Sequence, residues 1–365
     1  MSDATPPQLA RIPSLDGLRA ISIIAVIAGH LVGTRNFPAW TAPVLAAPQL
    51  NIAFLGVRVF FVISGFLITG LLCGELERNG RISLSRFYMR RTLRIIPAYL
   101  AFVAVIAILV AMGLVVVAPH DFAYALTYTM NYAPSRGWAL GHLWSLALEE
   151  QFYLIWPLTL VLVGRRWGAR TALAVVLIVP FVRVAAMVRN QPVLTFGTMS
   201  DALAIGCLAQ LWGTHIMETR AGRFVIKAGW AGPLLLALAM VVAANNRRTG
   251  WLTFDALTNI ACGVFVLHCV YHPHTWLGRL LNVRALVFIG TLSYSLYLWQ
   301  QLFVDRESTS WPHAFPMNIM LAFLAALASY YAVEQPFLRL RHRWRGSPIV
   351  IPATPSTSRE TARDT

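Results

Sequence analysis

The strongest constraint on this chain is a series of apolar runs, each roughly 18–24 residues long, about what a helix needs to cross a bilayer. A soluble all-helical protein would interrupt such runs with a polar stripe. Ten runs are legible, near 15–34, 51–72, 95–118, 143–163, 171–190, 195–213, 228–244, 251–270, 285–304 and 316–334. Charged residues make up only 12% of the 365 residues, too few to cover a soluble protein of this length. The predicted fold class is an all-α integral membrane protein with about ten transmembrane helices.

Charge sets the expected orientation. The net charge is +15, and Lys227 is the only lysine. A basic balance can mark a nucleic-acid partner. Here the arginines sit in short loops between apolar runs, the pattern of topology signals, so no nucleic acid is expected. With the N-terminus in the cytoplasm, twenty basic residues fall on inside segments, among them Arg78, Arg81, Arg86, Arg90, Arg165, Arg166 and Arg170. Six fall outside: Arg35, Arg136, Arg189, Arg247, Arg248 and Arg306. Both termini are therefore predicted to be cytoplasmic. The stretch 119–142 is apolar enough to suggest an eleventh span, but counting it would invert every later loop against the charge rule. It reads as an outer loop or an interfacial helix. Residues 1–345 read as one transmembrane domain and residues 346–365 as a cytoplasmic tail, polar, Pro/Thr-rich and expected to be disordered. The first residues, MSDATPPQLAR, do not resemble a cleavable signal peptide. Cys73, Cys207, Cys262 and Cys269 lack the spacing of a zinc site and read as small buried hydrophobes; no metal is expected.

Ionisable residues inside a bilayer are costly, which makes each a functional candidate. They are Arg19, His30, Arg58, Glu149, Glu150, Arg183, Asp201, Asp255 and His268. Arg19 and His30 are eleven residues apart, which puts them on one helix face ~16 Å apart along the axis. His30 reads either as a general base, since imidazole titrates near neutral pH, or as a packing element bonded between helices. Glu149 and Glu150 fall at a similar depth on the fourth span, so one of them is expected to contact His30 and fix its tautomer. The other is expected to pair with an arginine such as Arg58, or both serve as structural ion pairs. Arg91 and Arg94 share a helix face, where two guanidiniums suit a phosphorylated nucleotide; the alternative is a basic helix on anionic lipid.

Together these residues resemble the acyltransferase 3 family of bacterial membrane acyltransferases, over nearly the whole chain and in order. The resemblance is carried by IPSLDGLRAISIIAVIAGH, GVRVFFVISGFLITGLL, RFYMRRTLRIIPAY, HLWSLALEEQFYLIWP, MSDALAIGCLAQL, SYSLYLWQ and YYAVEQPFLRLRHR. It implies an enzyme of the bacterial inner membrane that moves an acyl group, by default acetyl, from cytoplasmic acyl-CoA to a hydroxyl of a sugar-containing acceptor. Such acceptors include surface polysaccharide, lipopolysaccharide, other glycoconjugates and macrolides. No bound cofactor is implied, acyl-CoA being a co-substrate. His30 becomes the expected base, oriented by Glu149 or Glu150, and Arg19, Arg91 and Arg94 the expected acyl-CoA contacts. Many members read SYxLYLWH, whereas this chain has Gln300 at the histidine position, and Gln cannot act as a base. Tyr297, Trp299 and Gln300 are expected either to line the acceptor pocket or to form an interfacial belt. A secondary transporter is the main rival, but no inverted repeat or pair of broken half-helices supports it.

Overall fold

The structure is a computed structural model that describes residues 12–45, 51–245 and 247–341. The predicted tail 346–365 lies outside the described residues. In chain order the helices are α1 (Pro13–Leu31), α2 (Ala42–Leu45), α3 (Ile52–Asn79), α4 (Leu84–Ala111), α5 (Pro119–Leu126), α6 (Trp138–Gly141), α7 (Leu143–Val188) and α8 (Phe196–Glu218). They continue with α9 (Arg220–Lys227), α10 (Ala231–Asn245), α11 (Arg247–Tyr271), α12 (Trp276–Leu281), α13 (Arg284–Phe303), α14 (Met317–Ser329) and α15 (Gln335–Arg341). No strand occurs among the described residues.

Six helical stretches are long and apolar enough to cross a membrane, or seven if the bent pair α9–α10 counts as one. The six are α1, α3, α4, the α6–α7 stretch, the Phe254–Tyr271 part of α11, and Met317–Leu340. α8 and α13 are also long enough, at 23 and 20 residues, but are not among them. Both carry buried polar side chains, Asp201 and Gln210 on α8, Gln300 and Gln301 on α13. α7 runs for 46 residues, ~69 Å if straight and more than twice a hydrocarbon core. It is broken at Gly164, whose φ of 71° and ψ of 175° are open to glycine and strained for other residues. The break falls between two of the expected apolar runs. The expected loop or interfacial helix at 119–142 consists of the short helices α5 and α6 with a 3-10 turn at Met130–Tyr132 between them.

Burial is inverted relative to a soluble protein. Leu162 is 81% exposed and Phe181 66% exposed, while Arg58 and Arg183 are 1% exposed. Apolar side chains outside and ionic ones inside are what a lipid surround selects. The chain is thus an all-helical membrane protein. All four cysteines are buried.

Close helix contacts fix the interior. A Cβ on Gly65 of α3 would overlap the carbonyl oxygen of Leu203 on α8, and one on Gly206 of α8 would overlap that of Val62 on α3. In the same way Gly290 of α13 leaves room for the carbonyl oxygen of Asp16 on α1, and Gly17 of α1 for that of Leu281 on α12. Small residues at such crossings let backbones approach where no hydrophobic effect drives helices together. Gly56 of α3 likewise leaves room for the carbonyl oxygen of Ser22 on α1, so α1 is held against α3 as well as α13.

Candidate functional site

Two cavities lie on either side of a shared wall. The larger, about 690 Å3, is lined by Arg19 of α1, Arg90, Arg91 and Arg94 of α4, Glu149 and Glu150 of α7, and Glu334. The smaller, about 370 Å3, is lined by His30 of α1 with Trp138, His142, Trp144, Gln301, Arg136 and Arg306. Val57 of α3 and Tyr297 of α13 line both. Arg19 and His30 share one helix, so α1 presents its arginine to the larger space and its histidine to the smaller, as their spacing predicts.

The larger cavity gathers the three arginines singled out in the sequence. Arg90 is held by Glu75 at 3.5 Å. Among the described residues no carboxylate lies within ion-pairing distance of Arg19, Arg91 or Arg94, and Nε of Arg19 is buried without a hydrogen-bond partner. Arg91 stacks over the ring of Tyr153, 4.7 Å from its centroid. Glu149 accepts a bond from the Ser64 hydroxyl at 2.7 Å, and Tyr153 donates to the same hydroxyl at 3.2 Å. Glu334, which the sequence reading did not single out, ends a π-helical turn, Tyr330–Glu334, and accepts from the Ser295 hydroxyl. The signal for it was present: YYAVEQPF places a carboxylate at the end of an apolar run, and π turns gather at functional sites.

The contacts of His30 differ from expectation. Neither glutamate reaches it; both line the larger cavity. α1 ends at Leu31, so His30 sits one residue from the helix end rather than four, level with His142 at the start of α7. Glu149 follows His142 by seven residues, ~10 Å further along the helix. His30 instead meets Gln300 of α13, with 3.0 Å between Nδ1 and Oε1.

A chain of bonds fixes the tautomer. The carbonyl oxygen of Trp138 can only accept, so the side-chain amide of Gln301 must donate to it, at 3.0 Å. The Gln301 Oε1 then accepts from Nε2 of Gln300 at 3.1 Å, which turns the Gln300 oxygen toward His30. Nδ1 of His30 must carry the proton, and Nε2 keeps its lone pair. A glutamine, not a carboxylate, does the orienting.

The other two α13 residues divide. Tyr297 forms the wall between the cavities; its hydroxyl lies 2.6 Å from that of Ser145 and donates to the His142 carbonyl oxygen at 3.0 Å. Trp299 packs edge-on against Phe102. It lines neither cavity, and Gln300 is wholly buried behind His30. His142, which heads the motif HLWSLALEEQ, is buried and lines the smaller cavity.

Arg58 does not pair with a glutamate. Its guanidinium meets Asp255 at 2.5 Å and donates to Asn259 at 2.7 Å. Arg183 bridges Asp255 at 3.0 Å and Asp201 at 2.7 Å. The four charges balance inside the bundle and lie outside both cavities. His268 bonds the carbonyl oxygen of Ile226 at 2.7 Å and reads as structural.

A family model described as an acyltransferase domain, that of the acyltransferase 3 family, matches residues 12–334. The chain belongs to the acyltransferase 3 family. It is 29% identical over 364 residues to the O-acetyltransferase OatA of Staphylococcus aureus strain NCTC 8325 / PS 47, and equally to that of strain COL. These alignments cover 89% of this chain and 57% of the relative. A provisionally named O-acetyltransferase of strain MRSA252 is 30% identical over 381 residues, covering 93% of this chain and 59% of its own length. The chain thus spans well under two thirds of the curated relatives it matches. No solved structure matches it significantly.

Proposed function

We propose that this protein is a membrane O-acyltransferase that moves an acyl group, by default acetyl, from acyl-CoA to a hydroxyl of a sugar-containing acceptor. One observation carries the reading: an arginine-lined cavity and a histidine-lined cavity share the wall formed by Val57 and Tyr297. Two substrates approaching from opposite sides would meet there.

The donor belongs in the larger cavity. Arg19, Arg91 and Arg94 suit the phosphates of CoA, and Nε of Arg19 is a buried donor with no partner within the protein. Glu149, Glu150 and Glu334 line the same cavity. The pantetheine arm then runs along α1 for the ~16 Å between Arg19 and His30. The acceptor hydroxyl enters the His30 cavity. Nε2 of His30 takes its proton while the oxygen attacks the thioester carbonyl. The thiolate leaves as the new ester forms, and the imidazolium returns its proton to it. The Ser145 hydroxyl lines the larger cavity beside Tyr297 of the shared wall, and by turning from its bond to Tyr297 it would donate to the developing oxyanion.

The topology we propose has ten spans. It adds to the six apolar candidates α8, α13, α10 and the second half of α7, with both termini in the cytoplasm of a bacterial inner membrane. The charge asymmetry of the loops supports that orientation.

The test is transfer of label from acetyl-CoA by membranes holding wild type or His30→Ala at matched levels. The variant should lose at least about a hundredfold in rate, the usual contribution of a general base. Equal rates in both would remove His30 from the chemistry.

A further inference from the structure

The smaller cavity holds a charge that its own residues do not explain. Arg136, in the segment before α6, lines this space; it is solvent-exposed and has no hydrogen-bond or ion-pair partner among the described residues. Arg306 faces it from the segment after α13. Its Nη2 donates to the carbonyl oxygen of Gly29 at 2.8 Å and its Nε to that of His30 at 3.3 Å. Those bonds satisfy the open C-terminal end of α1 and leave Nη1 uncommitted to either carbonyl. The other titratable groups lining the cavity are His30, His142 and Tyr297; no Asp or Glu lines it. Of the carboxylates on neighbouring segments, Asp121 accepts from the backbone N–H of Gly137 at 3.1 Å and Asp305 from that of Glu307 at 2.9 Å.

Two guanidiniums without a carboxylate, on a concave surface beside indoles, form a site for a planar or tetrahedral oxyanion. Trp138 and Trp144 give the same surface the flat apolar faces that suit the C–H face of a sugar ring. We infer that the acceptor is an anionic saccharide, whose carboxylate or phosphate seats on Arg136 and Arg306 while a neighbouring hydroxyl reaches His30. This rests on the reading that the His30 cavity receives the acceptor, and it narrows the acceptor to a charge class. Arg136 is the contact with no other employment; Arg306 also positions the end of α1.

The purified full chain, in detergent or lipid, should be titrated with three probes sharing one ring: methyl glucoside, the methyl glycoside of glucuronic acid, and glucose 6-phosphate. Ligand-observed NMR reports the affinities. One or both anionic probes should bind about ten- to a hundredfold tighter than the neutral one, the worth of a hydrogen bond to a charged group. Which anion gains more separates a carboxylate from a phosphate site. Arg136→Gln should cut the anionic-to-neutral ratio by about tenfold, and Arg136→Lys should restore part of it. A ratio taken within one variant is insensitive to how much of that variant is folded. Equal affinity for the three probes, no binding of any, or a preference that survives Arg136→Gln would overturn the inference. Consumption of acetyl-CoA by wild type is read separately. If it persists without anion preference, only the acceptor class is wrong; if wild type neither binds nor consumes acetyl-CoA, the acyltransferase reading falls first.

Discussion

Gln300 is the residue whose role changes most between sequence and structure. As a letter it is a loss, because it stands where many relatives of the family carry histidine and it cannot exchange a proton. In the fold it is the partner that sets the tautomer of His30, and it is itself held by Gln301 and the carbonyl of Trp138. Gln300→Leu keeps the volume but removes the acceptor at Nδ1, freeing the imidazole to turn or change tautomer. Its expected signature is a fall in kcat of about 10- to 100-fold with KM for acetyl-CoA little changed, since the arginine cavity is untouched. Gln300→His, which brings back the family residue, should retain more activity than Gln300→Leu. A fall in affinity for acetyl-CoA instead of kcat would show that Gln300 acts on donor binding.

At the scale of elements, the site depends on how α1 sits against α13, because one carries Arg19 and His30 and the other Tyr297 and Gln300. Their spacing is set where Gly290 meets the backbone of Asp16. Gly290→Ala puts a methyl group into a carbonyl oxygen that has no side-chain freedom to yield, so the helices must separate. Overpacking of this kind costs about 1–3 kcal/mol, which should lower the melting temperature in detergent by several degrees. The same change should lower transfer activity in the folded fraction, because Gln300 moves away from His30. An unchanged melting temperature and full activity would mean that the crossing has slack. The break of α7 at Gly164 works at this scale too: it turns one long apolar helix into two segments of bilayer length.

Across the whole molecule, the buried network of Arg58, Asp255, Arg183 and Asp201 ties α3, α7, α8 and α11 together. The four charges were each legible as functional candidates, on the ground that intramembrane charges are costly. Their mutual pairing gives them a different role, which is to join helices away from both cavities. Removing one partner leaves a buried charge uncompensated, so Arg183→Met should destabilise by about 3–5 kcal/mol. Adding Asp201→Leu removes the charge left behind and keeps Arg58 paired with Asp255. The double variant should therefore recover a large part of that loss, read as melting temperature in matched detergent. A double variant worse than the single one would place the network's value in something other than charge balance.

The sequence by itself determined the helical, membrane-embedded character of the chain. That follows from length and apolarity alone, quantities that survive uncertainty in the helix ends. It also determined that Arg19 and His30 share one helix face, since that needs only the helical repeat. Which partner each charge takes was decided by the tertiary structure. Each residue of error at a helix end shifts a side chain by ~1.5 Å along the axis, so the few residues by which α1 ends sooner than its apolar run put Glu149 beyond the reach of His30. The sequence offered Glu149 for His30 and a glutamate for Arg58. The packed helices gave Gln300 to the first and Asp255 to the second, because side-chain contact depends on the register between helices, and no periodicity within one helix encodes that register.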